Sequence, residues 1–250
     1  MKKTGSILYK IINFIIKATV YFLIVIHILL YGWYRYELHD VDLTPYQGKI
    51  ESYKSNYYAA LWVSKTHWSL TSKNIIEMKA IYPIYDLMTC LVGVDCVYFP
   101  KNINPSLKIT NSLTNVHGYN QHDRLKKIVL QVWISHHLTF EEVATLYFDK
   151  AYYGRNYYGL KTASQGYFGK EPNALNRYQI IMLVALSEYP NIDPVRKPQK
   201  LMDKMTTMLF SLYRVFPVYY TKSAFIREMK SRVIVETVEE SARFLKGLGK

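Results

Sequence analysis

The stretch LTFEEVATLYFDKAYYGRNYYGLKTASQGYFGK, Leu138–Lys170, is the part of this 250-residue chain whose residue order composition cannot explain. Thr139 followed by Glu142 is a capping box: the hydroxyl accepts from an orphan backbone N–H while the carboxylate reaches back, so the spacing predicts a helix start. Val143, Leu146 and Tyr147 repeat at three and four residues and give that helix one buried face. Gly154 and Gly159 bracket a tight excursion, since glycine enters positive φ without a Cβ penalty. A second helix follows. Taken singly, each tyrosine or glycine here has an ordinary reading as core packing or turn geometry. Their fixed offsets over the whole stretch do not.

That order resembles the fourth conserved region of the peptidoglycan glycosyltransferases, the domain of monofunctional transglycosylases and class A penicillin-binding proteins, roughly KEEILxxYLNxxYFGxxxYGxxxAAxxYFGK. Glu141, Glu142, Tyr147, Tyr153, Gly154, Tyr158, Gly159, Ala163, Tyr167, Phe168, Gly169 and Lys170 stand at matching spacing. Asp149 replaces the usual Asn, Phe140 the usual Lys, and Ser164 the second Ala. The resemblance implies a mainly α-helical, lysozyme-like domain acting on a lipid-linked glycan pyrophosphate. It places Tyr147, Asp149, Gly154, Tyr158 and Gly159 among the substrate-binding positions.

Working toward the N-terminus, Asp123 to His137 has apolar residues at Leu125, Ile128, Val129, Val132 and Trp133, the pattern of an amphipathic helix. The family's third motif, RKxxE, falls here with Asp123 on the Arg, Arg124 on the Lys and Lys127 on the Glu. Arg124, Lys126 and Lys127 form a basic turn that reads equally as a solvated helix face or a phosphate contact. His136 and His137 close the helix, where cations suit the dipole. Lys108 to Leu113, KITNSL, is similar to the second motif TITQQL, which puts Lys108, Thr110 and Asn111 at binding positions. Tyr57 to Trp68 corresponds to the first motif, AxxAAEDxxFxxHxG. There Ser64 stands on the Glu that the family uses as general base, and Lys65 on the Asp. Serine is no useful base near neutral pH and lysine is normally already protonated. Both family carboxylates therefore read as replaced, by Ser64 and Lys127.

Toward the C-terminus, Asn176 with Gln179 is a second capping box, followed by Ile180, Ile181, Leu183, Val184 and Leu186. The family's PxxxNP segment corresponds to Tyr189 through Pro194, with Arg196 beyond. Two more helices follow, the last expected over about Phe225 to Leu245.

The formal charge is +13, with 32 basic and 19 acidic residues; all 19 acidic residues and 28 basic ones follow Trp33. The body of the chain is thus drawn to anions. No nucleic-acid motif accompanies that charge. Ile7 to Trp33 reads as a transmembrane anchor, with Lys2, Lys3 and Lys10 before it favouring a cytoplasmic N-terminus, and Tyr31, Trp33, Tyr34 and Tyr36 forming an aromatic belt at the far interface. A cleaved signal peptide is the competing reading, against which the Tyr31-Gly32-Trp33 exit lacks a small-x-small site. The expected layout is a tip and anchor over 1–36, a linker over 37–55 and the glycosyltransferase-like domain over 56–250. The stretch from Lys73 to Tyr98 is too broken by Pro83, Gly93, Asp86 and Asp95 for a second span. The resemblance gives it a mobile, bilayer-dipping role. Cys90 and Cys96 read as a short disulfide loop or as two buried thiols, neither catalytic.

Three functions follow. In the first, the chain is a single-pass protein of the cytoplasmic membrane, its main domain outside, that binds lipid II or a similar precursor or regulates a cell-wall synthase, without catalysis. In the second, it polymerises lipid II with a relocated base, Glu51, Glu77 or Asp149 being the candidates. In the third, it is an envelope scaffold. No cofactor is implied; a divalent metal would accompany activity.

Overall fold

The computed structural model describes residues 2–47, 50, 52–66, 112–113, 124–215, 223, 226–228 and 231–249. Lys108, Thr110 and Asn111, the segment from Lys73 to Tyr98 with Cys90 and Cys96, Glu51, Glu77, Trp68 and Asp123 lie outside the described residues. Eight α-helices are described: α1 (Lys2–His39), α2 (Ser55–Thr66), α3 (Arg124–His137), α4 (Phe140–Lys150), α5 (Leu160–Phe168), α6 (Arg177–Glu188), α7 (Pro198–Val215) and α8 (Val233–Gly247). Among the described residues the β-structure is a lone antiparallel bridge between Tyr152 and Tyr158. The expectation of a mainly helical chain holds.

Helix α6 is the pillar. Asn176 Oδ1 accepts from the backbone N–H groups of Tyr178 and Gln179 at 2.9 and 3.0 Å, and the Gln179 side chain accepts from Asn176 N at 3.0 Å, completing the expected box. Every residue from Gln179 to Leu186 is buried, the mark of a helix surrounded by other elements rather than lying on them. It packs against α2, α5, α7 and α8, and α2 also meets α4 and α7. The buried Gln179 is satisfied: its Nε2 donates to both carboxylate oxygens of Glu240 on α8, at 3.1 and 3.0 Å. A polar group so enclosed would otherwise cost about 1–3 kcal/mol.

Helix α1 is long and apolar enough to cross a membrane over Tyr9–His39, and none of its side chains there is buried. It runs past Trp33 and enters the body of the protein directly. Within the segment expected as a linker, Leu38 packs on the core, Val41 and Tyr46 are buried, and Thr44–Tyr46 forms a 3₁₀ turn. Tyr46 sets its ring 6.3 Å from that of Trp133 on α3, and α1 contacts α3. Apolar residues in a polar stretch thus seat that stretch on the domain. The last helix starts later than expected, at Val233. The preceding turn closes at Ser231, whose N–H donates to Arg227 O and whose hydroxyl donates to Glu228 O at 2.7 Å.

Candidate functional site

The capping box at the head of α4 forms as its sequence dictates: Thr139 N donates to Glu142 Oε2 at 2.7 Å and Glu142 N donates to Thr139 Oγ1 at 3.3 Å. The buried face carries Val143 and Tyr147, with Leu146 at its margin. Tyr147 is almost wholly enclosed, and its phenol reaches Ser187 O at 3.3 Å and Glu188 Oε1 at 3.2 Å. Burial first, then the Glu188 charge, push its ionisation well above the ordinary phenol range. Tyr147 is a buckle between α4 and α6.

After Ala151 the chain makes a compact excursion. Tyr153 N donates to Tyr157 O, Tyr157 N to Gly154 O and Gly159 N to Ala151 O, each at 2.9 Å. Arg155 and Asn156 hold φ of 51° and 61° at its tip, the left-handed pair of a tight reverse turn. Asn tolerates that conformation; Arg does so at a cost of about 1–2 kcal/mol. The guanidinium offsets it, since Arg155 Nε donates to Asp193 Oδ2 at 2.6 Å, half-buried. Asp193 Oδ1 in turn accepts from Val195 N and Arg196 N at 2.7 and 2.9 Å. Burial raises the Asp193 carboxyl, but these donors outweigh it and hold the acid below its ordinary value.

Both glycines of the excursion are required. Gly154 sits at φ +84°, and a Cβ there would lie 2.6 Å from Pro190 O; Gly159, at φ +80°, would bring one 2.8 Å from Asp149 O. Two buried phenols fasten the loop from beneath: Tyr167 donates to Tyr153 O at 2.8 Å and Tyr153 to Phe148 O at 3.2 Å. At the end of α5, Gly169 adopts the left-handed C-cap at φ +64° under the ring of Phe244, and Lys170 Nζ donates to Glu240 Oε1 at 2.9 Å.

Among the motif positions that face outward are Tyr158 and Asp149. Tyr158 is 64% exposed, its ring 4.8 Å from that of Tyr152. Asp149 is exposed, and its Oδ1 accepts a 2.5 Å hydrogen bond from the Tyr53 hydroxyl, 96 residues earlier. Burial, then the hydrogen bond and charge of Asp149, raise the Tyr53 phenol strongly, so it remains a neutral donor. Tyr53 N takes its own bond to Tyr58 Oη at 2.7 Å, and Tyr58 meets Thr145 Oγ1 at 2.9 Å. The segment before α2 is thereby laced to α4. Sequence reasoning missed Tyr53, as it missed Asp193 and Glu240, because each partner lies far along the chain with no spacing to announce it.

At the two positions expected for carboxylates, the Ser64 hydroxyl donates to Leu61 O of its own helix at 2.7 Å. Lys127 lies half-buried on the first turn of α3, with partial burial lowering its amine from the ordinary lysine value. Lys126 Nζ stands 3.6 Å from Asp40 Oδ2 at the end of α1. Arg124 opens α3. Among the described residues, no group of three or more His, Cys, Asp or Glu side chains is arranged to hold a metal ion.

Residues 108–213 match the sequence model of the Transglycosylase family. Over 104 residues the chain is 28% identical to penicillin-binding protein 1A of Streptococcus pneumoniae, which covers 41% of this chain and 14% of that protein. A 93-residue stretch is 29% identical to penicillin-binding protein 1A of Pseudomonas aeruginosa, covering 35% of this chain and 11% of that one. With a predicted transglycosylase of Cupriavidus necator the identity is 31% over 87 residues, 34% of this chain and 38% of its relative. The matching segment thus spans well under half of each relative. It contains α3 to α6, α7 as far as Tyr213, and the capped, glycine-bracketed excursion between α4 and α5, and over this segment the chain is similar to the peptidoglycan transglycosylase family.

Proposed function

We propose that this chain is a membrane-anchored, transglycosylase-like protein of peptidoglycan synthesis that engages a lipid-linked glycan pyrophosphate, of the lipid II kind, or a synthase that uses one, without polymerising it. What supports this reading is the chemistry at the two positions that the resemblance sets on the family's acids. A hydroxyl committed to its own helix stands at Ser64, and an amine at Lys127. Removing one general base typically costs about 10²–10⁴ in rate. The retained α4–α5 excursion supports a kept binding surface. The anchor reading rests on the membrane-length α1, and the basic Lys2, Lys3 and Lys10 before it favour a domain on the far side of the cytoplasmic membrane.

A second reading is favoured by Asp149. Its exposed carboxylate accepts a hydrogen bond from the Tyr53 phenol at 2.5 Å. A carboxylate so placed is the best candidate for a relocated base in a working enzyme. The test is to incubate the full chain in detergent with labelled lipid II and a divalent cation, then resolve glycan chains on a gel. No polymer with lipid II retained is the expected result. Polymer that vanishes in Asp149→Asn would replace it with the second reading, and neither polymer nor retention would leave an envelope scaffold.

A further inference from the structure

The first turn of α3 lies beside the end of the membrane-length helix α1, where Lys126 Nζ stands 3.6 Å from Asp40 Oδ2. Helix α1 passes from its aromatic belt into the domain with no free tether, since Leu38 and Val41 already pack on the core. Asp40 lies six residues beyond Tyr34, a rise of about 9 Å along a helix. Lys126 Nζ is 3.6 Å from the Asp40 carboxylate, so it sits at headgroup height once α1 spans a bilayer. That height is within about one Debye length of the lipid surface.

The turn has the composition of an interfacial contact. Leu125 is 37% exposed, among few large apolar side chains described as open to solvent outside α1, and it is flanked by Arg124, Lys126 and Lys127. An exposed apolar residue next in sequence to cations suits the boundary between acyl chains and anionic headgroups. The turn contains no acidic residue. Near the end of α1, Arg35 stands against Glu37 and Asp40 with His39 neutral in the formal count, a net charge of −1 that the three α3 cations outweigh. The Lys126–Asp40 pair is no obstacle, because its members are 36% and 62% exposed and such pairs hold weakly.

We infer that the α3 first turn docks on the surface of the membrane that α1 spans, with Leu125 in the interface and Lys126 on the phosphates of anionic phospholipid. This rests on the reading of α1 as an anchor. The occupant is the bulk lipid headgroup, distinct from any lipid-linked sugar substrate.

The test uses the full chain, with Cys90→Ser and Cys96→Ser, in nanodiscs of phosphatidylcholine with or without phosphatidylglycerol. A spin label at Leu125→Cys reports depth, and native mass spectrometry of the unlabelled chain reports retained phosphatidylglycerol. The expected result is a label at headgroup depth and a loss of retained phosphatidylglycerol of about fivefold in Lys126→Gln, the weight of one lysine beside an anionic surface. Lys200→Gln, on α7, should change nothing. A label in bulk water, or retention unaltered in Lys126→Gln, would overturn the inference. Extraction of the wild-type chain from vesicles by alkaline carbonate would instead overturn the anchor reading itself, so the two failures are distinguishable.

Discussion

Replacing Gly154 by Ala is the sharpest probe of the α4–α5 excursion, because two independent costs fall on one methyl group. The backbone stands at φ +84°, which costs a non-glycine residue about 1–2 kcal/mol. The new Cβ would also meet Pro190 O at 2.6 Å and Tyr167 Oη at 3.3 Å. The first neighbour is backbone and cannot rotate away. It belongs to the turn closed by Ile192 N donating to Tyr189 O at 2.9 Å, next to the Asp193 cap that also holds Arg155. Overpacking of this kind costs about 1–3 kcal/mol. The stiffer unfolded chain returns only about 0.4–1 kcal/mol. The net loss is about 2–4 kcal/mol, which for a chain of this size lowers the thermal midpoint by roughly 5–15 °C. Circular dichroism of the detergent-solubilised chain reads it. Gly247→Ala is the internal control, because nothing lies within 4 Å of its added Cβ and the helix end should gain slightly. A Gly154→Ala midpoint within a degree of wild type would refute both the loop conformation and its contact with the Tyr189–Pro194 segment.

Thr139→Ala removes one half of the α4 capping box and should cost about 0.5–2 kcal/mol, measured by the same melting experiment. On the alkaline side, Tyr53, Tyr57, Tyr147, Tyr153 and Tyr167 all have phenols raised by burial. A group whose folded pKa is raised lends its full stability below the unfolded value, about 10, and loses it as pH climbs toward the folded one. The fold should therefore hold to about pH 10 and then give way cooperatively, with these phenols ionising together as circular dichroism is lost. A phenolate absorbance step in a still-folded chain that disappears in Tyr167→Phe would contradict that burial.

What could be read directly was whatever a short window contains. The capping boxes at Thr139 and Asn176, the glycines at 154 and 159 and the apolar period of α3 are local bargains between neighbouring groups, and each formed where its residues stand. The membrane-length helix was equally plain, since bilayer thickness sets a length that composition alone satisfies. Helix ends were less so. A Ser231 hydroxyl that folds back on Glu228 decides where α8 begins, and periodicity does not see a single hydroxyl.

The division of labour within the motif belonged to tertiary structure. Tyr147 and Tyr158 look alike in sequence, yet Tyr147 is buried between α4 and α6 while Tyr158 stands open, because only packing decides which phenol finds Ser187 and Glu188. Asp149 with Tyr53, Arg155 with Asp193 and Lys170 with Glu240 are joined across 96, 38 and 70 residues. No spacing rule reaches so far. The sequence by itself determined the helices, their caps, the membrane-length segment and the family of the motif, since these follow from near-neighbour geometry and hydrophobic period. Only the tertiary structure decided which motif residues are fasteners and which face outward, because a side chain's partner across the fold exists only after the chain has closed on itself.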